Sequence, residues 1–96
     1  MKMLKYMQKT LMNPFIDSYP KLDVHGETRD SVIVLVKDFI KDHKRLRNEV
    51  VIIVHGVGEG VLKREIHHYL KTNNDVLDYK LDSFNIGVTI VKIKLD

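Results

Sequence analysis

The chain has 96 residues, of which 44% are hydrophobic and none is cysteine. This length predicts one small domain with a modest core, and the absence of cysteine excludes disulfides and thiolate metal sites. The formal net charge is +3, but basic and acidic residues balance over 22–96, so the excess lies in residues 1–21. Residues 22–96 therefore carry no overall positive charge, and any binding site for nucleic acid must depend on a local cluster of basic side chains.

The sequence contains no apolar run near the roughly 20 residues that cross a membrane. Its N-terminus also lacks the continuous apolar segment of a signal peptide. A cysteine-free chain fits a reducing compartment. We therefore expect a cytoplasmic protein with no membrane partner.

Residues 1–20 are predicted to form an N-terminal arm, and residues 21–96 the domain. Apolar residues at near-helical spacing predict a short amphipathic helix in the arm; they are Met3, Leu4, Met7 and Leu11. Asn13-Pro14 would end this helix. The arm either packs on the domain, remains partly disordered, or binds a partner or a membrane surface.

The domain pattern predicts the order β-α-β-α-β-β. The strands are expected at 22–24, 50–54, 76–83 and 88–95, and the helices at about 29–43 and 60–71. Thr28 is the expected N-cap of the first helix. Single helices between strands imply parallel pairing and right-handed crossovers, and the last strand returns antiparallel. The predicted fold is a two-layer α/β sandwich: a mixed four-stranded sheet with both helices on one face, the other face open or covered by the arm.

Periodicity also assigns the core faces. The first helix presents Val32, Leu35, Val36, Phe39 and Ile40, and the second presents Leu62, Ile66, Tyr69 and Leu70. Alternation in the third strand places Leu77, Tyr79 and Leu81 on one side.

Two His-Gly pairs follow the first two strands. His25-Gly26 comes after Leu22-Asp23-Val24, and His55-Gly56 comes after the β-branched run 50–54. Parallel neighbours lie about 4.8 Å apart, so both corners should sit side by side at two helix N-termini, where α/β sheets bind ligands. Asp23 is expected on the same face as His25.

These residue types suit phosphodiester binding or cleavage. A histidine can transfer protons near neutral pH, and a carboxylate such as Asp23 or Glu59 can orient it or hold a hard metal ion. The glycines at 56, 58 and 60 would let backbone N–H groups bind phosphate. Each feature has a structural alternative: a tight turn without a ligand, or a polar residue on an open sheet face.

The remaining polar residues favour structural roles. His67 and His68 are interpreted as surface residues, and His43 as complementing a helix end. The basic segment 44–48 is either a solvated connection or a contact to a phosphate backbone.

Other nucleotide and metal motifs are absent. The loop has no Lys followed by Ser or Thr, which excludes a P-loop. A dinucleotide fingerprint would need glycine at Val61. Asp23, His25 and His55 have no specific zinc spacing.

Two stretches resemble the signatures of the Smr (small MutS-related) domain family. Leu22-Asp23-Val24-His25-Gly26 is similar to its Leu-Asp-x-His-Gly motif, and residues 55–62 are similar to its His-Gly-x-Gly-x-Gly-x-Leu motif. The resemblance covers roughly residues 20–95. The family often has a Gly-Gly-x-Gly-like turn ending in Thr before the last strand, and only part of it is present in Asn85-Ile86-Gly87-Val88-Thr89.

The resemblance implies a fold similar to the C-terminal domain of bacterial translation initiation factor three. It also implies a nucleic-acid-binding domain, and an endonuclease that nicks or cleaves RNA or DNA, here as a stand-alone member. Asp23, His25 and His55 would then be catalytic, with a divalent metal as a candidate cofactor but no assigned metal ligands. The residues expected to contact phosphate or nucleic acid are Gly26, Gly56, Gly58, Glu59, Gly60, Lys63, Arg64, Lys44, Arg45 and Arg47.

Two other functions remain open at this point. A non-catalytic module could dock on the ribosome or another RNA-protein particle through its exposed cations; they are Lys44, Arg45, Arg47, Lys63 and Arg64. Alternatively, the glycine loop could bind a small phosphorylated metabolite. The sequence distinguishes neither DNA from RNA nor one oligomeric state from another.

Overall fold

The structure is a computed structural model that describes residues 18–96. Its elements follow the predicted order: β1 (Lys21–Asp23), α1 (Arg29–Arg45), β2 (Val50–Val54), α2 (Val61–Thr72), β3 (Val76–Leu81) and β4 (Val88–Ile93). The helix predicted in the N-terminal arm lies outside the described residues. No helix within residues 18–96 has the length and apolar character needed to cross a membrane.

The sheet is mixed, as predicted, with the strand order β1-β2-β4-β3. β1 and β2 are parallel, and β4 is antiparallel to both of its neighbours. A chain advancing steadily across the sheet would leave its last strand at an edge, whereas β4 inserts between β2 and β3. Two strongly apolar strands thereby take the central positions, and the start of β4 lies beside the end of β2, with Val88 opposite Val54.

Both helices pack on one face of the sheet, which confirms the two-layer sandwich. The main core joins the buried residues of both helices to inward-facing residues of β2 and β4; its fully buried members include Val36, Ile40, Ile66, Leu70, Val51, Ile53, Val91 and Ile93. On the opposite face, Ile52 and Val88 pack with Tyr19. The segment that leads into β1 therefore lies against the sheet face without helices.

Local signals explain where α1 begins and ends. The Thr28 side chain accepts a hydrogen bond from the Ser31 backbone N–H, which confirms the predicted N-cap. The helix continues to Arg45, slightly beyond the predicted end. Arg47 then adopts a positive φ of 63°, and the Asn48 N–H donates to the His43 carbonyl at 2.9 Å. This arrangement is a Schellman-type cap, so the basic segment is an ordered helix end.

Two predictions about core faces are wrong. Leu35 lies at the border of the α1 core stripe and is 37% exposed. In β3, the register shifts between Val76 and Asp78, which is typical of a β-bulge. Because of this irregularity, Val76 and Tyr79 both pack against the main core, whereas Leu77 is 56% exposed.

Candidate functional site

The two His-Gly corners are adjacent, as the parallel pairing predicts. Asp23 lies opposite Val54 in the register, and the Val24 N–H donates to the Val54 carbonyl at 2.8 Å. A Cβ placed on Gly56 would lie 3.4 Å from the Cβ of His25. Residues 25–27 and 55–63 line one cleft of about 470 Å³ at this edge of the sheet.

Asp23 and His25 form an exposed pair at this edge. The His25 Nδ1 lies 2.5 Å from the Asp23 Oδ1, and the same oxygen accepts the His25 backbone N–H at 3.1 Å. The hydrogen bond to the carboxylate raises the pKa of His25, and the hydrogen bonds from His25 lower the pKa of Asp23. Nδ1 is thus committed to Asp23, and Nε2 has no hydrogen-bond partner within residues 18–96.

The glycine loop leads into a helix end without a side-chain cap. Gly56, Gly58 and Gly60 have φ values of 83°, 37° and 81°, a region that favours glycine. Gly60 is the N-cap of α2 and provides no side-chain hydrogen bond. The first N–H groups of α2 therefore retain the capacity to bind an anion at the cleft.

Two predicted cations of α2 lie at or beside the cleft. Lys63, in the first turn of the helix, lines it. The Arg64 Nη1 donates to the Glu59 carbonyl at 3.4 Å, so this guanidinium lies over the end of the loop. Both side chains are therefore near the position where an anion would meet the helix.

The turn between β3 and β4 packs directly on the second corner. The Gly87 carbonyl accepts hydrogen bonds from the N–H groups of His55 and Gly56, at 2.9 and 3.0 Å. A Cβ on Gly87 would lie 3.2 Å from the Gly56 carbonyl carbon, closer than a side chain normally approaches backbone. Gly87 therefore supports the loop.

His55 is buried behind this corner, with 4% of its surface exposed. Its Nδ1 lies 2.9 Å from the Gly56 carbonyl oxygen, and its Nε2 lies 2.8 Å from the Thr89 Oγ1. Burial lowers the pKa of His55, so the ring is neutral at pH 7. Its predicted catalytic role remains a prediction, but the geometry gives it contact with the loop backbone.

The interpretation of His67 as a surface residue is wrong. The His67 Nε2 lies 2.8 Å from the Thr89 Oγ1, and its ring meets Tyr79 edge to face with centroids 4.9 Å apart. Burial is again the main cause of its lowered pKa. His68, in contrast, is exposed as predicted. One signal in the sequence could have indicated this position of His67. Lys63 and His67 are one helical turn apart and therefore lie on the same side of α2.

The predicted cations near the end of α1 are not brought to the cleft. The helix is roughly 25 Å long, and its first turn adjoins the corner of β1. The Lys44 Nζ forms ion pairs with Asp75 and Asp96, and Arg45 pairs with Asp42. Arg47 is exposed in the helix cap. Their predicted contact with nucleic acid would require a second, distant surface.

The described residues do not form a preassembled cluster of protein ligands for a divalent metal at this site. Among residues 18–96, no group of three or more His, Cys, Asp or Glu side chains could hold a metal ion. The donors that line the cleft include Glu27 and Glu59, which lie on different loops. We therefore derive no chemical step through a metal.

The fold and cleft define a class of small α/β domains in which two His-Gly corners and an uncapped helix meet at one edge of a sheet. The sequence model of the Smr domain matches residues 22–94. The chain therefore belongs to the Smr domain family, which confirms the resemblance seen in the sequence.

Curated relatives are named endonuclease MutS2. The protein from Lachnoclostridium phytofermentans is 34% identical over 90% of this chain and 11% of its own length. The protein from Caldanaerobacter subterraneus is 35% identical over 77% of this chain and 10% of its own length. The chain thus spans about a tenth of these relatives.

Two solved structures share the fold. The Smr domain of Thermus thermophilus MutS2 has a TM-score of 0.76 at 22% identity, covering 78% of this chain and 98% of that domain. YdaL from Escherichia coli, a stand-alone small MutS-related protein, has a TM-score of 0.75 at 18% identity and covers 93% of this chain and 81% of its own. Both agree with the mixed four-stranded sheet and two helices.

Proposed function

We propose that this Smr domain binds nucleic acid in the cleft between its two His-Gly corners and hydrolyses a phosphodiester bond there. The observation that carries the proposal is the Asp23–His25 pair beside a glycine loop and an uncapped helix end. Matched relatives are named endonucleases. The proposal transfers that activity to a domain about a tenth of their length.

The loop would hold a backbone phosphate. Free N–H groups at the start of α2 and the positive end of its dipole favour an anion. Lys63 adds a positive charge at the same end of the cleft. These contacts recognise the phosphate group and not the identity of the base, so they suit either RNA or DNA.

His25 would transfer the proton. Asp23 holds Nδ1 and favours the imidazolium, so the opposite nitrogen, Nε2, faces the substrate. As imidazolium it contacts a phosphate oxygen or donates its proton to the leaving oxygen, and the attacking water then releases its proton to solvent. As neutral imidazole it accepts a proton from the attacking water, and the leaving oxygen then takes its proton from solvent. A bond forms between the water oxygen and phosphorus, and the bond from phosphorus to the leaving oxygen breaks. Asp23 orients the ring throughout.

Cleavage of end-labelled RNA and DNA, with and without Mg²⁺ or Mn²⁺, tests the proposal directly. The wild-type protein should cut at least one of them, and His25→Ala and Asp23→Asn should lower the rate by 10²- to 10⁴-fold, the usual contribution of acid-base catalysis. His68→Ala is the matched control, because it removes an exposed histidine from the outer side of α2.

The outcomes separate the functions left open by the sequence. Cleavage that survives His25→Ala would contradict the assigned site. Binding without cleavage would indicate an interaction module, and co-sedimentation with ribosomes that is lost on charge reversal of Arg47 would place that module on the cap of α1. Absence of both binding and cleavage at low salt would reject the proposal for this domain.

A further inference from the structure

We infer that His67 is a positioning residue of the cleft. Through the Thr89 hydroxyl it holds His55 in one tautomer, and His55 in turn fixes the orientation of the peptide between Gly56 and Val57 in the glycine loop. The inference deepens the proposed function, since it rests on that loop for phosphate binding. Its chain of contacts runs from α2 through β4 to the corner of β2 and joins residues 67, 89 and 55.

The positions of the protons can be assigned because some groups in this series can only accept a hydrogen bond. The Gly56 carbonyl has no hydrogen to give, so the Nδ1 of His55, 2.9 Å away, must carry the proton. A neutral His55 then has a bare Nε2. The Thr89 hydroxyl, 2.8 Å from it, must donate its only hydrogen there.

The same reasoning determines the tautomer of His67. Because the Thr89 hydroxyl gives its hydrogen to His55, its oxygen can only accept from His67, 2.8 Å away. His67 therefore carries its proton on Nε2, opposite to the choice in His55. The two histidines thus hold opposite tautomers, joined by one hydroxyl group.

This series of hydrogen bonds ends at a backbone carbonyl of the loop that lines the cleft. The C=O and N–H of a trans peptide point in opposite directions. Because the Gly56 carbonyl is held against the buried His55 ring, the Val57 N–H of the same peptide points away from that ring. Gly56 and Val57 both line the cleft, so the orientation of this peptide sets part of its backbone surface. A change of tautomer at His55 would release the carbonyl and let the peptide rotate.

The surroundings favour this single arrangement. Thr89 is fully buried and His55 nearly so, and a buried polar group without a partner is costly. Lys63 on α2 disfavours a positive charge on either histidine. Tyr79 on β3 packs against the His67 ring and limits its rotation.

The first test reads the tautomers directly from the ring ¹⁵N shifts of the full chain. Wild-type protein at pH 7.5 should show His55 protonated on Nδ1 and His67 on Nε2. His67→Phe should broaden or shift the His55 signals, because the Thr89 oxygen loses the N–H group of His67 from which it accepts. The Thr89 side chain is then free to rotate. His67→Gln, which keeps an N–H donor, should retain the wild-type pattern more closely, and His68→Phe should leave it unchanged.

The second test measures binding of a short 5′-labelled oligonucleotide of the type that the wild type prefers. His67→Phe should weaken binding about tenfold, the effect of disrupting one buried hydrogen bond, whereas His67→Gln should recover most of that loss. Thr89→Val should repeat the defect and Thr89→Ser should relieve it. Combining His67→Phe with Thr89→Val should add little, since both break the same chain.

These measurements distinguish this inference from the proposed function. An Nε2-protonated His55 in the wild type, or His55 signals indifferent to His67→Phe, would overturn the inference whatever the activity. The expected tautomers in a wild-type protein that binds no nucleic acid would support the positioning role and reject the proposed function. If His67→Phe unfolds by circular dichroism, the Thr89→Val and Thr89→Ser pair gives the same decision.

Discussion

At the residue scale, the two corner histidines differ in environment although their sequence contexts match. His25 is exposed and bonded to a carboxylate, which raises its pKa. His55 is buried and bonded to a carbonyl and a hydroxyl, and its pKa is lowered. A charged, accessible ring suits contact with substrate, and a neutral, enclosed ring suits the support of a loop.

The first prediction concerns the Asp23–His25 pair. Asp23→Asn removes the charge that stabilises the imidazolium, so the pKa of His25 should fall toward the ordinary value of 6.5. A raised His pKa stabilises the folded state below 6.5 and loses that effect as the pH rises through the folded value. The variant should lose this contribution.

An NMR titration of the His25 ring protons measures the change. Asp78→Asn is the control, since β3 lies at the opposite edge of the sheet from β1. Equal His25 titration curves in the wild type and Asp23→Asn would show that the hydrogen bond does not govern this histidine.

The second prediction concerns the buried histidines. Both have lowered folded-state pKa values, so below about pH 6.5 the unfolded chain binds more protons than the folded chain. The free energy of unfolding therefore decreases as the pH is lowered. The melting temperature should therefore drop between pH 7.5 and 5.5. His67→Gln removes one titrating group and should flatten the dependence, whereas His68→Gln should not; equal slopes in all three would contradict the buried, neutral state.

At the element scale, the turn from β3 to β4 shapes the cleft without contributing a catalytic group. Its Gly87 carbonyl holds the backbone of His55 and Gly56, and the next residues bring Thr89 beneath His55. A change in this turn should therefore act on the glycine loop.

The third prediction tests that coupling with two glycine variants. Gly87→Ala forces a Cβ to 3.2 Å from the Gly56 backbone and should lower the free energy of unfolding by about 1–3 kcal/mol while weakening nucleic-acid binding. Gly26→Ala is the comparison: its φ of 84° is strained for alanine, but nothing lies within 4 Å of the new Cβ. Urea unfolding and binding assays measure both. Equal binding of nucleic acid by the wild type and Gly87→Ala would contradict the supporting role of the turn.

At the scale of the whole molecule, basic and acidic residues balance over 22–96. Ion pairs occupy Lys44 and Arg45 at one end of α1, and Arg29 pairs with Glu65 between the two helices. The cleft contains acidic Glu27 and Glu59 as well as Lys63. Such a surface offers nucleic acid a small number of phosphate contacts.

The fourth prediction follows from this balance. The slope of log K against log salt concentration should be shallow, about −2 to −3, since each phosphate contact contributes about −0.7 to −0.9. Lys63→Ala should make it less negative by about one contact, and Lys71→Ala, in the last turn of α2, should leave it unchanged. A slope near −6, or equal effects of the two variants, would reveal a broad basic surface instead.

The order of elements, the helix faces and the adjacency of the two corners followed from local signals. β-branched runs, the Thr28 cap and apolar periodicity each act over a few residues, so one sequence was sufficient to predict them. The parallel pairing then placed Asp23, His25 and the glycine loop at one edge of the sheet. The bulge in β3 was missed, because strict alternation assumes an undisturbed register.

The sandwich, the family and the position of the cleft were predictable from the amino-acid sequence. The contacts behind the cleft depend on the packed fold: β4 lies in the centre of the sheet and places Thr89 between His55 and His67, so that a histidine of α2 supports the loop. These contacts join residues 22 and 34 positions apart. Periodicity reports which face of an element is apolar, whereas the partner of a polar side chain depends on strand order and register, which the whole packed chain sets.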